Sequence, residues 1–248
     1  MSTPLASPAQ RSPDRQALAW AHTARFLTTA SRLDQLPDHG LPEIAFVGRS
    51  NAGKSTAINT LAQQRQLAYA SKKPGRTQHI NLFTLGPLEP GVITPGLPPA
   101  VWADLPGYGY AAVERTAKLR WQQVMADYLG QRPGLTGIVQ MVDSRHGFTP
   151  LDLQLLDFVN ERVNSGQVRL LVLLTKADKL NRKESSQSLM QAQKVLGDWA
   201  TDEADVSVAL FSALKRQGLD DAASTMRSWC PEAQPADLAD SGSAELQE

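Results

Sequence analysis

Gly48-Arg49-Ser50-Asn51-Ala52-Gly53-Lys54-Ser55 follows the spacing G-x-x-x-x-G-K-[ST]. Glycines at these places let the backbone wrap, so that successive N–H groups face an anion. A helix starting at the lysine adds its positive end. The chemistry this suits is the cradling of the α- and β-phosphates of a nucleoside triphosphate. Lys54 is expected to reach the β- and γ-phosphates, and the Ser55 hydroxyl to ligate Mg2+, with Thr56 closing the set. The string follows the apolar run Ile44–Val47, read as a short buried strand, and opens a helical stretch over Lys54–Gln64. That is the context a phosphate loop requires.

A phosphate cradle alone leaves ATPases, kinases and GTPases open, and three later segments narrow the choice. Asp104-Leu105-Pro106-Gly107 supplies a carboxylate that can hold Mg2+ through water and a glycine N–H for the γ-phosphate. Thr175-Lys176-Ala177-Asp178 follows the apolar run 170–174. An aspartate there can accept from both N1–H and N2–H2 of guanine, a pair that adenine does not offer. The wrong base would leave a buried carboxylate without partners. Lys176 would lay its stem along the base. Phe211-Ser212-Ala213-Leu214 follows another strand, where a backbone N–H could meet the guanine O6.

These segments need a scaffold, and the chain alternates in the way one would. Strands are expected at 44–47, 79–85, 101–104, 138–142, 170–174 and 206–211. Helices are expected at 54–64, 113–129 (with a Trp121, Val124, Leu129 stripe), 150–163, 183–199 and 219–229. Strands separated by helices of crossover length imply a three-layer α/β fold with a mostly parallel six-stranded sheet. No helical pattern joins 79–85 to 101–104, so this pair is expected to run antiparallel at the edge. All four chemical segments then fall at carboxyl ends of strands, where open α/β sheets bind ligands. Thr149-Pro150-Leu151-Asp152 reads as a helix cap with a first-turn proline and an acid at the third position.

The remaining stretches are plainer. Residues 16–36, with Leu18, Phe26 and Leu33, read as a helical extension ended by Pro37. Gly86 to Pro99 holds five prolines and is expected to be an extended hairpin link. Residues 1–15 are rich in Ser, Pro and Ala, and 231–248 carry only acidic charges. Both are expected to be disordered tails, leaving 16–230 as a single nucleotide-binding domain.

Lys+Arg and Asp+Glu are equal at 25 each, so no global field draws the chain to nucleic acid or to a membrane surface. The single cysteine, Cys230, excludes an intrachain disulfide and a thiolate metal cluster, which suits a reducing compartment. Neither a targeting segment nor a membrane-spanning run is evident, and the cytoplasm is the default expectation.

These strings resemble the YihA/EngB/YsxC family of bacterial GTPases, in the class that also holds Era and MnmE. The likeness runs from about residue 20 to 229 and rests on several stretches. They are Gly48–Ser55, Pro74-Gly75-Arg76-Thr77-Gln78, Asp104-Leu105-Pro106-Gly107-Tyr108-Gly109-Tyr110-Ala111, Thr175–Leu180 and Phe211–Leu214. The Pro-rich link is longer than the family's hairpin is expected to be, and the acidic tail looks like an addition.

The resemblance implies that Thr77 is a switch threonine, joining the Mg2+ shell with Ser55 and Asp104 only when a γ-phosphate is present. Gly75, Arg76, Gln78 and His79 would lie beside it at the nucleotide, and Lys54 and Thr77 would act on the transferring phosphoryl group. The other reading of Thr77 is a cap on the strand at 79–85. Asn51 matches the asparagine that ligates a monovalent cation in K+-activated relatives, with a turn-stabilising role as the alternative. Asp143 and Arg145 also match the family, without an assigned role.

Tyr108 stands where Ras-like proteins place a water-orienting glutamine, so slow intrinsic turnover is expected. The switch region 65–79 holds Arg65, Lys72, Lys73 and Arg76 and no acid. It reads as a surface for phosphates or as a solvated loop. The resemblance implies a GTP/GDP switch in assembly of the large ribosomal subunit, needed for division and septation; the chain is expected to be a monomer. A GTP-sensing scaffold at the septum and an ATP-using small-molecule kinase are the alternatives.

Overall fold

β2 (Glu43–Gly48) is buried at every position, and its side chains still alternate between two different cores. Ile44 and Phe46 join one apolar cluster and Ala45 and Val47 the other, as the two-residue period of a strand requires. A strand buried on both faces must be central, and β2 lies between β4 (Ala100–Asp104) and β5 (Leu135–Asp143), parallel to both.

The computed structural model describes residues 13–68, 79–87, 97–109 and 115–231. Gly75, Arg76, Thr77 and Gln78, the centre of the Pro-rich link, and nearly all of both expected tails lie outside them.

In chain order the other strands are β1 (Arg25–Ala30), β3 (Ile80–Leu85), β6 (Arg169–Thr175) and β7 (Val206–Leu210). The sheet order is β1-β3-β4-β2-β5-β6-β7. The helices are α1 (Pro13–Ala21), α2 (Lys54–Leu61), α3 (Arg115–Gln131), α4 (Pro150–Asn164), α5 (Arg182–Trp199) and α6 (Leu219–Ser228). Residues of α1, α2 and α6 pack on the face bearing Ile44 and Phe46, and residues of α3, α4 and α5 on the face bearing Ala45 and Val47. This is the three-layer α/β fold that the sequence implies.

The sheet has seven strands where six are expected. Residues 16–36 are a helix only to Ala21, and 25–30 form an edge strand antiparallel to β3. Phe26, read as part of a helical stripe, instead meets Phe83 edge-on across the ladder, with ring centroids 6.3 Å apart. The run Phe26-Leu27-Thr28-Thr29 is rich in strand formers, and the open edge of β3 gives it partners that a short isolated helix lacks. The antiparallel pairing of β3 with β4 is as expected, but β1 takes the edge.

α1 is held by its tryptophan. Trp20 is fully buried, packs edge-on against Trp102 of β4 at 5.9 Å, and donates from Nε1 to the Pro98 carbonyl at 2.8 Å. Among the described residues no helix is long and apolar enough to cross a membrane.

Candidate nucleotide site

The loop after β2 is shaped by two positive-φ residues, Asn51 at 66° and Gly53 at 92°. Gly53 is the N-cap of α2, so the helix opens at Lys54 with its first N–H groups facing the loop's concave side. Gly48 is a close-approach glycine. A Cβ there would stand 2.9 Å from the Cβ of Met141 on β5, so a side chain would push the loop off the sheet.

Lys54 is buried and ion-paired to Asp104 Oδ1 at the end of β4. Asp104 Oδ2 is also buried and has no hydrogen-bond partner among the described residues. Such an atom is costly unless a ligand satisfies it. Ser55 is half-buried beside Lys54, Thr56 is exposed, and Ala52 is buried.

Leu105 and Pro106 are buried and lead to Gly107, which packs on the first loop. A Cβ on Gly107 would sit 3.3 Å from the Ser50 nitrogen. Two backbone bonds join the loops at the next residue, Tyr108 N–H to the Gly48 carbonyl (3.1 Å) and Ser50 N–H to the Tyr108 carbonyl (2.8 Å). His79 is exposed just before β3, two residues from Asn81, which pairs with Asp104. It therefore enters at the same end of the sheet.

The fourth segment locks onto the first. Thr175 Oγ1 donates to the Ala52 carbonyl at 2.6 Å, and Lys176 Nζ donates to the Asn51 carbonyl at 2.6 Å and to Asp143 Oδ2 at 2.9 Å. Lys176 has a left-handed backbone (φ 59°), which throws its stem back across the loop. Burial pushes the Asp143 carboxyl up, but hydrogen bonds from Arg145 and Lys176 outweigh it and hold the group well below the usual carboxylate range. A cavity of about 210 Å3 beside the loop is lined by Arg49, Ser50, Asn51, Asp143, Arg145 and Lys176, among others.

Asp178 is shielded and accepts a 2.6 Å bond from Ser212 Oγ, which keeps its carboxyl below the ordinary value. Ala177 N–H donates to the Phe211 carbonyl at 3.1 Å, tying the loop after β6 to the one after β7. Ala213 is half-buried next to Ser212, and Leu214 is 72% exposed. The structure thus gathers Gly48–Thr56, Asp104–Gly107, Thr175–Asp178 and Phe211–Ala213 at the carboxyl ends of β2, β4, β6 and β7.

The sequence model of a family described as a 50S ribosome-binding GTPase matches residues 43–176. The probable GTP-binding protein EngB of Albidiferax ferrireducens is 58% identical over 223 residues, covering 89% of this chain and 98% of that protein. The chain belongs to the EngB family of GTP-binding proteins.

EngB of Acidovorax ebreus is similarly close, at 56% over 222 residues, covering 90% of this chain and 95% of that one. A crystal structure of a probable EngB superposes with a TM-score of 0.50 at 20% identity, over 75% of this chain and 96% of that one. Era of Aquifex aeolicus, solved with GDP and aluminium fluoride, gives 0.58 at 20%, over 77% of this chain and 57% of its own. Era in complex with MgGDPNP and a stretch of 16S ribosomal RNA gives 0.58 at 22%, over 78% and 58%. At these identities the structures show a shared fold. As an EngB-family GTPase the chain carries the GTP-hydrolysing type of P-loop domain.

Some neighbours of the site were not assigned from the sequence. Asp143 had matched the EngB pattern without a role, and it proves to be the carboxylate that positions Lys176. Gln140 is a polar residue inside an apolar strand, a visible signal, and its Nε2 reaches the Tyr108 hydroxyl at 3.3 Å and the Asp152 carbonyl at 3.1 Å. Leu214, the last residue of the Phe211–Leu214 segment, had no role assigned, and it proves to be an exposed leucine next to Ala213 beside the Asp178–Ser212 pair.

Proposed function

We propose that this chain is a Mg2+-dependent guanine-nucleotide switch with slow intrinsic turnover, acting in the cytoplasm in assembly of the large ribosomal subunit. The observation that carries the nucleotide reading is the interlocking of four loops at one end of the sheet. Thr175 and Lys176 bond the phosphate loop's own carbonyls, and Ser212 orients Asp178. In this reading the N–H groups of Gly53–Thr56, at the loop's end and in the first turn of α2, hold the phosphates. Asp178 accepts from the guanine edge, Lys176 and Leu214 flank the base, and the Ala213 N–H meets O6.

The divalent ion fits the donors present. Ser55 and Asp104, the latter through water, would hold Mg2+, with Thr77 added from the switch. The buried Oδ2 of Asp104, without a hydrogen-bond partner among the described residues, supports this choice. Bound there, Mg2+ would neutralise phosphate charge during transfer. Lys54 is the second cation on the phosphates, and Asp104 already orients it.

Tyr108 supports slow turnover. Its hydroxyl is buried and donates to Asp152 Oδ1, away from any role in orienting water. Asn51 is the proposed ligand for a K+ ion that would supply the missing charge. Its left-handed backbone serves the turn as well.

The ribosomal role is supported by the description of the matching family as 50S ribosome-binding. A division defect would follow from limiting ribosomes. Residues 16–230 would form the switch domain, as a monomer.

Co-sedimentation with 50S particles in GTP analogue, GDP and no nucleotide tests the whole reading. Association should be strongest with the analogue. Equal association in all three states would remove the switch.

A further inference from the structure

The residue after Gly107 is fastened at both ends. Its backbone forms the two-bond ladder to Gly48 and Ser50, and its hydroxyl donates to Asp152 Oδ1 at 2.8 Å. Asp152 is 1% exposed, and its second oxygen accepts from Thr149 N–H at 2.8 Å and Thr149 Oγ1 at 2.6 Å, closing the cap of α4. Gln140, fully buried on β5, props the hydroxyl from the other side. The tyrosine as a whole is 7% exposed, and it walls an apolar cavity with Met125, Leu129 and Leu155 of α3 and α4. A tyrosine so placed cannot swing toward a phosphate without breaking a buried, charge-assisted hydrogen bond.

We infer that Tyr108 is a positioning residue, a latch that holds Gly107 against the phosphate loop and links that glycine to the start of α4. The inference rests on the nucleotide reading above, in which the Gly107 N–H meets the γ-phosphate. Gly107 lies so close to Ser50 that small shifts of Tyr108 move it relative to the loop. Fixing it there in advance favours a triphosphate over a diphosphate, because only the former has an oxygen for that N–H. The ordering cost is then met on folding and not on binding. In the same way, a change at the third phosphate is transmitted through the hydroxyl to the α4 cap.

The test compares the affinities of fluorescent GDP and of a fluorescent nonhydrolysable GTP analogue in the full chain with Mg2+. Tyr108→Phe removes only the hydroxyl, and Asp152→Asn weakens the acceptor from the other side. Each should lower analogue affinity about five- to tenfold, the worth of one such bond, while GDP affinity stays within about twofold. The double variant should be no worse than the poorer single, since both break one latch. An equal loss for both nucleotides would make Tyr108 a packing residue only, and an unchanged ratio would remove the latch while leaving the nucleotide reading intact. Failure of the unaltered protein to bind either nucleotide would end both.

Discussion

Lys54, the first residue of α2, and Asp104, the last of β4, form an ion pair with 8% and 1% of their side-chain surface exposed. Removing only the cation leaves a buried charge. Lys54→Met should therefore destabilise the nucleotide-free protein by about 3 kcal/mol, and adding Asp104→Asn should restore most of it. Urea unfolding of both variants checks this. A double variant less stable than the single would contradict the account.

Asp178, oriented by Ser212, should decide the base. Asp178→Asn is expected to weaken GTP binding about 30- to 100-fold, the cost of roughly 2–3 kcal/mol of lost charge-assisted bonding, and to favour xanthosine triphosphate. Competition between the two nucleotides measures it. Retained GTP affinity would unseat Asp178.

Asn51 allows its two roles to be separated. Glycine tolerates φ 66° as well as asparagine does, so Asn51→Gly keeps the turn and removes the amide. Phosphate release by the unaltered protein should be roughly tenfold faster in K+ than in Na+ at equal ionic strength, and the variant should lose that difference. Identical rates in both salts for the unaltered protein would leave Asn51 with the turn alone.

At the opposite end of the sheet, Glu43 is buried and accepts from Tyr128, from Arg132 Nε at 2.8 Å, and stands 3.0 Å from His39 Nε2. Burial raises its pKa, but the neighbouring His39 imidazole and the hydrogen bonds from Arg132 and Tyr128 outweigh this and leave it lowered. A carboxyl lowered on folding stabilises above its unfolded value, about 4.3, and that stability is lost as pH falls through the folded value. Glu43→Gln should cost about 3 kcal/mol at pH 7, and the gap to the unaltered protein should begin to narrow as pH falls below about 4.3. Urea midpoints at pH 7, 5 and 3.5 follow it. A gap that stays constant to pH 3.5 would rule out the ionised carboxyl as its source.

Gly137 on β5 lies beneath the Trp229 ring, where a Cβ would stand 2.2 Å from Cε3. Gly137→Ala should lower stability by about 2–3 kcal/mol through overpacking, with little effect on nucleotide affinity far from that strand end. A thermal melt with and without GDP separates the two effects.

The chain's own order was enough to reveal the phosphate loop, because G-x-x-x-x-G-K-[ST] is a contiguous device whose spacing is set by backbone geometry within eight residues. The same holds for the alternation of strands and helices and for the Thr149–Asp152 cap, all governed by local periodicity and nearest-neighbour bonds. β1 was not legible, because Phe26 and its neighbours become a strand only when β3 offers an open edge. Nor could order alone pair Asp143 with Lys176, 33 positions away, or Tyr108 with Asp152, 44 away. Hydrogen bonds across such gaps depend on which strands end side by side, and that is decided only when the sheet closes its two cores.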